Sequence, residues 1–84
     1  MRLTVKLYAS LASHLSPEAR STNQQPIDVP EGVSVATVLA PFGLPVELTK
    51  LVLVNGRYVA PEDRPHEELK DGDVVAVWPP IAGG

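Results

Sequence analysis

The sequence ends Trp78-Pro79-Pro80-Ile81-Ala82-Gly83-Gly84, and this stretch holds the residues best suited to chemistry. Gly83 and Gly84 carry no Cβ, so a thread ending in them can pass a narrow channel and take backbone angles closed to other residues. Pro79 and Pro80 each fix φ and lack an N–H, which favours an extended exit from whatever precedes them. Six residues, 79–84, reach about 20 Å at roughly 3.3–3.6 Å per residue. A carboxylate at the tip is a poor electrophile. Converted to an acyl-adenylate, it gains a good leaving group, and a sulfur or nitrogen nucleophile can attack it. The chain then reads as a substrate and carrier whose catalytic groups belong to other proteins. The absence of cysteine fits, since no internal thiol competes for the activated carbonyl. The other reading is an inert tail, because small residues are common at chain ends.

The remaining candidates offer less. His14 and His66 fall in segments read as loops, without metal-ligand spacing such as H-x3-H, and read as solvent-exposed histidines. In PEDRPHEELKDGD (61–73), Glu67, Glu68 and Asp71 could be imagined as a metal or acid–base cluster. A solvated charged turn is the reading adopted. Ser10, Ser13, Ser16, Ser21 and Ser34 lack a G-x-S-x-G context, and no G-x-x-x-x-G-K-[ST] phosphate loop occurs. A chain this small has little room for an enclosed pocket. The expectation is no enzyme, no bound cofactor and no metal.

Composition narrows the partners. The 84 residues suffice for one domain with one modest core. The net charge of −3 comes without a basic cluster, so no nucleic-acid or anionic-membrane partner is expected. No apolar run approaches the ~20 residues of a membrane span. The start, MRLTVKLY, alternates where a signal peptide needs a continuous apolar run. With no cysteine to mark an oxidising compartment, the expectation is a cytoplasmic protein, monomeric on its own.

The elements that must position the tail follow from periodicity. Residues 2–8 read as a strand, with Leu3, Val5 and Leu7 on one face and Arg2, Thr4, Lys6 and Tyr8 on the other. Residues 9–24 are weakly patterned and read as a surface loop with a helical turn after Ser16-Pro17. Alternation resumes over 25–29, which could pair antiparallel with the first strand. Ser34 is a helix N-cap. Val35, Val38, Leu39 and Phe42 then form one apolar face of a short helix over about residues 35–42, with Pro41 weakening its last turn and Gly43 ending it. LVLV (51–54), the turn signal Asn55-Gly56 and RYV (57–59) read as a hairpin. Residues 60–72 read as a charged turn placing Leu69 inward, and 73–78 as the last strand. The class is α+β, one main helix on a mixed four- or five-stranded sheet. If the first and last strands pair in parallel at its centre, the arrangement is the β-grasp.

Strand alternation also suggests a face. With Val52, Val54, Val75 and Val77 turned to the helix, Leu51, Leu53, Val74, Ala76 and Trp78 lie outward, and an exposed apolar patch holding a tryptophan reads as a protein interface. The alternatives are a loop folded over it, or a one-residue error that swaps the faces.

The stretch DGDVVAVWPPIAGG (71–84) closely resembles the C-terminus of the MoaD/ThiS family of ubiquitin-like sulfur carriers. LVLVNGRYV (51–59) resembles the family's V-x-V-N-G hairpin, and VSVATVLAPFGLP (33–45) its helix start. The tail is most like the MoaD branch, while the short helix followed by FGLP is nearer ThiS. The resemblance implies a β-grasp domain over 1–78 with an extended, flexible tail over 79–84. It implies that an E1-like adenylyltransferase of MoeB/ThiF type activates Gly84 with ATP and Mg2+. A sulfur donor, such as a cysteine desulfurase or rhodanese, then leaves a C-terminal thiocarboxylate. Gly84 would be the carrier residue, with Gly83, Ala82, Ile81, Pro80 and Pro79 the docking tail. In the MoaD branch the carrier joins a MoaE-like large subunit as molybdopterin synthase, making the dithiolene of the molybdenum or tungsten cofactor. In the ThiS branch the sulfur enters the thiamin thiazole. A protein modifier joined to lysines is a further alternative.

Overall fold

The computed structural model describes residues 1–80. Strand β1 (Arg2–Leu7) lies beside β5 (Val74–Trp78) in parallel, with Val5 opposite Val75 and Leu7 opposite Val77. β2 (Gln24–Asp28) flanks β1 antiparallel. On the other side β3 (Leu51–Val54) runs antiparallel to β5 and carries the two-residue β4 (Arg57–Tyr58). The order β2-β1-β5-β3-β4 is five-stranded and mixed, with its parallel pair inside the sheet. This is the β-grasp arrangement expected from the first and last strands.

The hairpin turns as its sequence dictates. Asn55 and Gly56 both take positive φ, +50° and +83°, as a type I′ turn demands. The Asn55 carboxamide also clips the turn to the start of β5. Its Nδ2 donates to Asp73 Oδ1 and its Oδ1 accepts from the Val74 amide, each at 2.9 Å. Asp73 is used in this way, so the last strand begins at Val74, one residue later than alternation suggests.

Helix α2 (Val35–Leu39) is capped by Ser34, whose hydroxyl oxygen accepts from the Thr37 amide. It gives way to a 3-10 turn over Ala40–Phe42 because Pro41 has no N–H to continue it, and Gly43 closes the segment at φ +65°. Val35, Val38 and Leu39 are buried against the sheet, and Phe42 is half-buried. Five residues cannot hold a helix alone. The charged segment after β4 supports it: the carbonyls of Glu67 and Arg64 accept from the amides of Val35 and Ala36. Leu69 is buried, as its inward placement required.

The segment read as a surface loop over 9–24 is different. The helical turn expected after Ser16-Pro17 is present as α1 (Pro17–Arg20), but a 3-10 stretch (Ala9–His14) precedes it, and Leu11, Leu15 and Ala19 enter the core. These apolar residues stand four apart among polar ones. Leu11 is presented by the 3-10 stretch, Leu15 by the extended residue that ends it and Ala19 by α1, so two short turns and the link between them, rather than one helix, bury the three. Asn23, at φ +61°, returns the chain: its side-chain amide donates to the Leu7 carbonyl and its own carbonyl accepts from the Leu7 amide. At the far end of β1, Arg2 bonds and pairs with Asp28, which holds the Asp28 carboxyl below its usual range first by that hydrogen bond and then by charge.

Leu11 is fully buried, so Leu11→Ala should lower unfolding free energy in urea by about 2–5 kcal/mol. Val46 is 84% exposed, and Val46→Ala should stay within about 0.5 kcal/mol of the parent. A near-neutral Leu11→Ala would return residues 9–24 to the surface.

Candidate functional site

The root of the tail is built by the parallel pair. Beyond Leu7 and Val77 the next residues are Tyr8 and Trp78, and their rings stack with centroids 3.8 Å apart and planes 7° from parallel. The Tyr8 amide still donates to the Val77 carbonyl. Directly afterwards Ala9 takes φ +52°, a conformation side-chain-bearing residues seldom adopt, and the chain turns away. Trp78 is followed at once by Pro79, half-buried, and Pro80, exposed. Ile81, Ala82, Gly83 and Gly84 lie outside the described residues.

From this root the outer sheet face extends in rows. Trp78 lies opposite Leu51, and Ala76 lies between Lys6 and Leu53, which faces Tyr58. Val74 and Thr4 form the next row. Trp78 and Leu51 are each 40% exposed and Tyr58 50%. Leu53, Val74 and Ala76 are partly covered by their neighbours. Val52, Val54, Val75 and Val77 are all buried on the other face. The five residues assigned outward by alternation therefore share one exposed face. Sequence reasoning left Tyr8 and Tyr58 out of that face. Tyr8 was legible in the β1 alternation once strands one and five are paired, whereas Tyr58 depends on the register across the hairpin.

The other candidates do not converge. His66 is exposed. His14 corrects the reading of an open-loop histidine: it ends the 3-10 stretch, is half-buried, and its Nδ1 lies 3.0 Å from the Phe42 carbonyl oxygen. Glu67 pairs with Arg57, while Asp71 accepts from the Arg2 amide at 2.7 Å. Among the described residues no group of three or more His, Asp or Glu side chains could hold a metal ion. An open groove of about 590 Å³ runs between β2 and α2, its lining including His14, Ile27, Val29, Val38 and Phe42, and no residue of the tail root lines it. Among the described residues no helix is long and apolar enough to cross a membrane.

A model of the ThiS family matches residues 7–84. The chain belongs to the ThiS family. It is 36% identical over 75 residues to the molybdopterin synthase sulfur carrier subunit of Chlamydomonas reinhardtii, covering 82% of this chain and 88% of that one. The solution structure of the Haloferax volcanii HVO 2177 protein superposes with a TM-score of 0.74 at 30% identity, over 100% of this chain and 87% of that one. The complex of subunits 1 and 2 of the molybdopterin-converting factor from Helicobacter pylori contains a chain of the same fold, with a TM-score of 0.62 at 18% identity and complete coverage of both. This ThiS-family chain is thus a homologue of small sulfur-carrier subunits, which agrees with the expectation of a carrier rather than an enzyme.

Offset or stacked aromatic pairs contribute about 0.5–1.5 kcal/mol beyond the area they bury. A double-mutant cycle with Tyr8→Ala and Trp78→Ala should return a coupling in that range by urea denaturation, with each single variant still folding cooperatively. Loss of cooperative folding in Trp78→Ala would make the ring part of the core rather than of an exposed face.

Proposed function

We propose that this protein is a sulfur carrier that works through a thiocarboxylate at Gly84, in molybdopterin synthesis, as the small subunit beside a MoaE-like large subunit. The observation that carries the reading is the 36% identity to a molybdopterin synthase sulfur carrier subunit across four-fifths of the chain. The Helicobacter pylori complex supports a two-subunit assembly for such a chain.

The chemistry divides between the carrier and its partners. The Gly84 carboxylate attacks the α-phosphorus of ATP on an E1-like enzyme, with Mg2+ on the phosphates, and pyrophosphate leaves. The outer sulfur of a persulfide on the donor protein adds to the acyl carbon and AMP leaves, so a C–S bond replaces a C–O bond. A second thiol then attacks the donor's inner sulfur, breaking the S–S bond, and the two thiols depart as a disulfide while the thiocarboxylate is released. This chain supplies no acid, base or metal to any of these steps. Its part is to present the carbonyl. Gly83 admits the thread, Pro79 and Pro80 hold it extended at low entropic cost, and Ile81 and Ala82 line the partner's channel. The outer face with Trp78, Leu51, Leu53, Val74 and Ala76 docks the body, Tyr8 and Tyr58 adding to it. Aromatic residues in a partly desolvated patch carry much of such binding.

The test is intact mass before and after incubation with an E1-like enzyme, ATP, Mg2+ and a sulfur donor. One oxygen should be exchanged for one sulfur on the 81–84 fragment. That localisation matters, because oxidation of Met1 or Trp78 changes the mass by nearly the same amount. The exchange should vanish without ATP or on deletion of Gly84. Trp78→Ala should weaken docking to the activating enzyme at least about tenfold, as expected for an aromatic anchor worth more than about 1.4 kcal/mol. Adding a MoaE-like subunit and a molybdopterin precursor should then consume the thiocarboxylate. Consumption by a thiazole-forming system alone would move the acceptor to the ThiS branch, and amide-linked products on lysines would make the protein a modifier.

A further inference from the structure

We infer that Lys6 is a specificity-determining cation of the outer face, and that the surface docking there carries a carboxylate opposite it, set in an apolar surround. The inference rests on the docking face of the proposed function and adds the chemistry of the partner. Lys6 stands on β1 between Thr4 and Tyr8, in one row with Ala76, Leu53 and Tyr58. It is half-buried, and among the described residues it has no ion pair, no side-chain hydrogen bond and no cation–π contact. The other charged residues projecting from the strands on this face are Arg2 and Asp28, and these satisfy one another. Lys6 is therefore the one uncompensated charge among the strand residues of the face.

The sign runs against the rest of the molecule. The chain carries ten acidic and seven basic residues. With Arg2, Lys6 and Asp28 set aside, nine acidic and five basic residues remain elsewhere. A positive point on an otherwise apolar face, in a chain whose remaining charge is net negative, orients the molecule toward a surface with a negative spot. Docking would desolvate the ammonium beside Tyr8 and Ala76. A half-buried cation left unpaired in an interface is costly, so the partner must supply the compensating carboxylate.

Pyrophosphate exchange by the E1-like enzyme, with the carrier as varied substrate, tests this. Lys6→Glu should raise the KM for the carrier by at least about tenfold with kcat unchanged, since the reacting carboxylate is untouched. Lys6→Ala should raise it less and flatten its dependence on salt. Lys70→Glu changes net charge equally from an exposed position outside the strands and should leave KM within about twofold of the parent. If Lys6→Glu and Lys70→Glu behave alike, Lys6 serves only to keep the face soluble and the inference fails while the carrier function stands. If the parent supports no exchange with several E1-like enzymes proven on other carriers, the proposed function fails and this inference with it. Circular dichroism of Lys6→Glu must match the parent; if it does not, Lys6→Gln with the salt series decides, and an unchanged salt dependence overturns the inference.

Discussion

The parallel pairing of the first strand with the last is the constraint on which the rest depends. Almost the whole chain separates β1 from β5, so joining them carries a loop-closure cost that only buried side chains offset. Leu3, Val5, Leu7, Val75 and Val77 supply that burial, each close to fully covered. The register is not adjustable. A slip of one residue would turn Trp78 and Ala76 inward and the valines outward, exchanging a close-packed layer for a tryptophan too large for it. The same register places Tyr8 beside Trp78, so the most buried pair of strands also sets where the tail departs.

The irregular segments are held by side chains that bond to backbone. Arg64 is the clearest case. Its guanidinium donates to the carbonyls of Val59, Thr49 and Lys50, tying the approach to β3 to the exit from β4. Arg20 does the same for the Leu15 and Ser13 carbonyls. A domain this small buries little apolar surface, and the backbone groups of its long connections still need partners. Arginine's fixed fork of donors serves several carbonyls at once, which lets a charged stretch such as 61–73 support a five-residue helix.

What was legible in the sequence follows from which forces are local. The strands could be read because alternation, β-branched residues and Asn55-Gly56 each act within a few positions. Ser34 could be read as a cap for the same reason, and Pro41 as the point where α-helix must end. Leu11, Leu15 and Ala19 could not, because their burial depends on the turns between them and on the sheet they reach. The half-burial of His14 depends in the same way on the Phe42 carbonyl, 28 residues away in sequence. At the candidate site, strand parity placed Leu51, Leu53, Val74, Ala76 and Trp78 on one face. The Tyr8–Trp78 stack required the strand pairing as well, which no periodicity contains.

The proposed function separates binding from chemistry, and the separation has a physical consequence. In the proposed carrier, docking of the sheet face turns entry of the tail into an intramolecular event. The effective concentration is then set by a short tether rooted in that same face. A tether of residues 79–84 reaches only about 20 Å, so a small change in its starting direction moves its tip far relative to a narrow channel. The stacked rings of Tyr8 and Trp78 sit at that starting point, and two prolines follow. Rigidity at the root and slenderness at the tip are thus complementary. The root limits the volume the tip must search, and the tip, having no side chains, can accept whatever backbone geometry the partner's active site imposes.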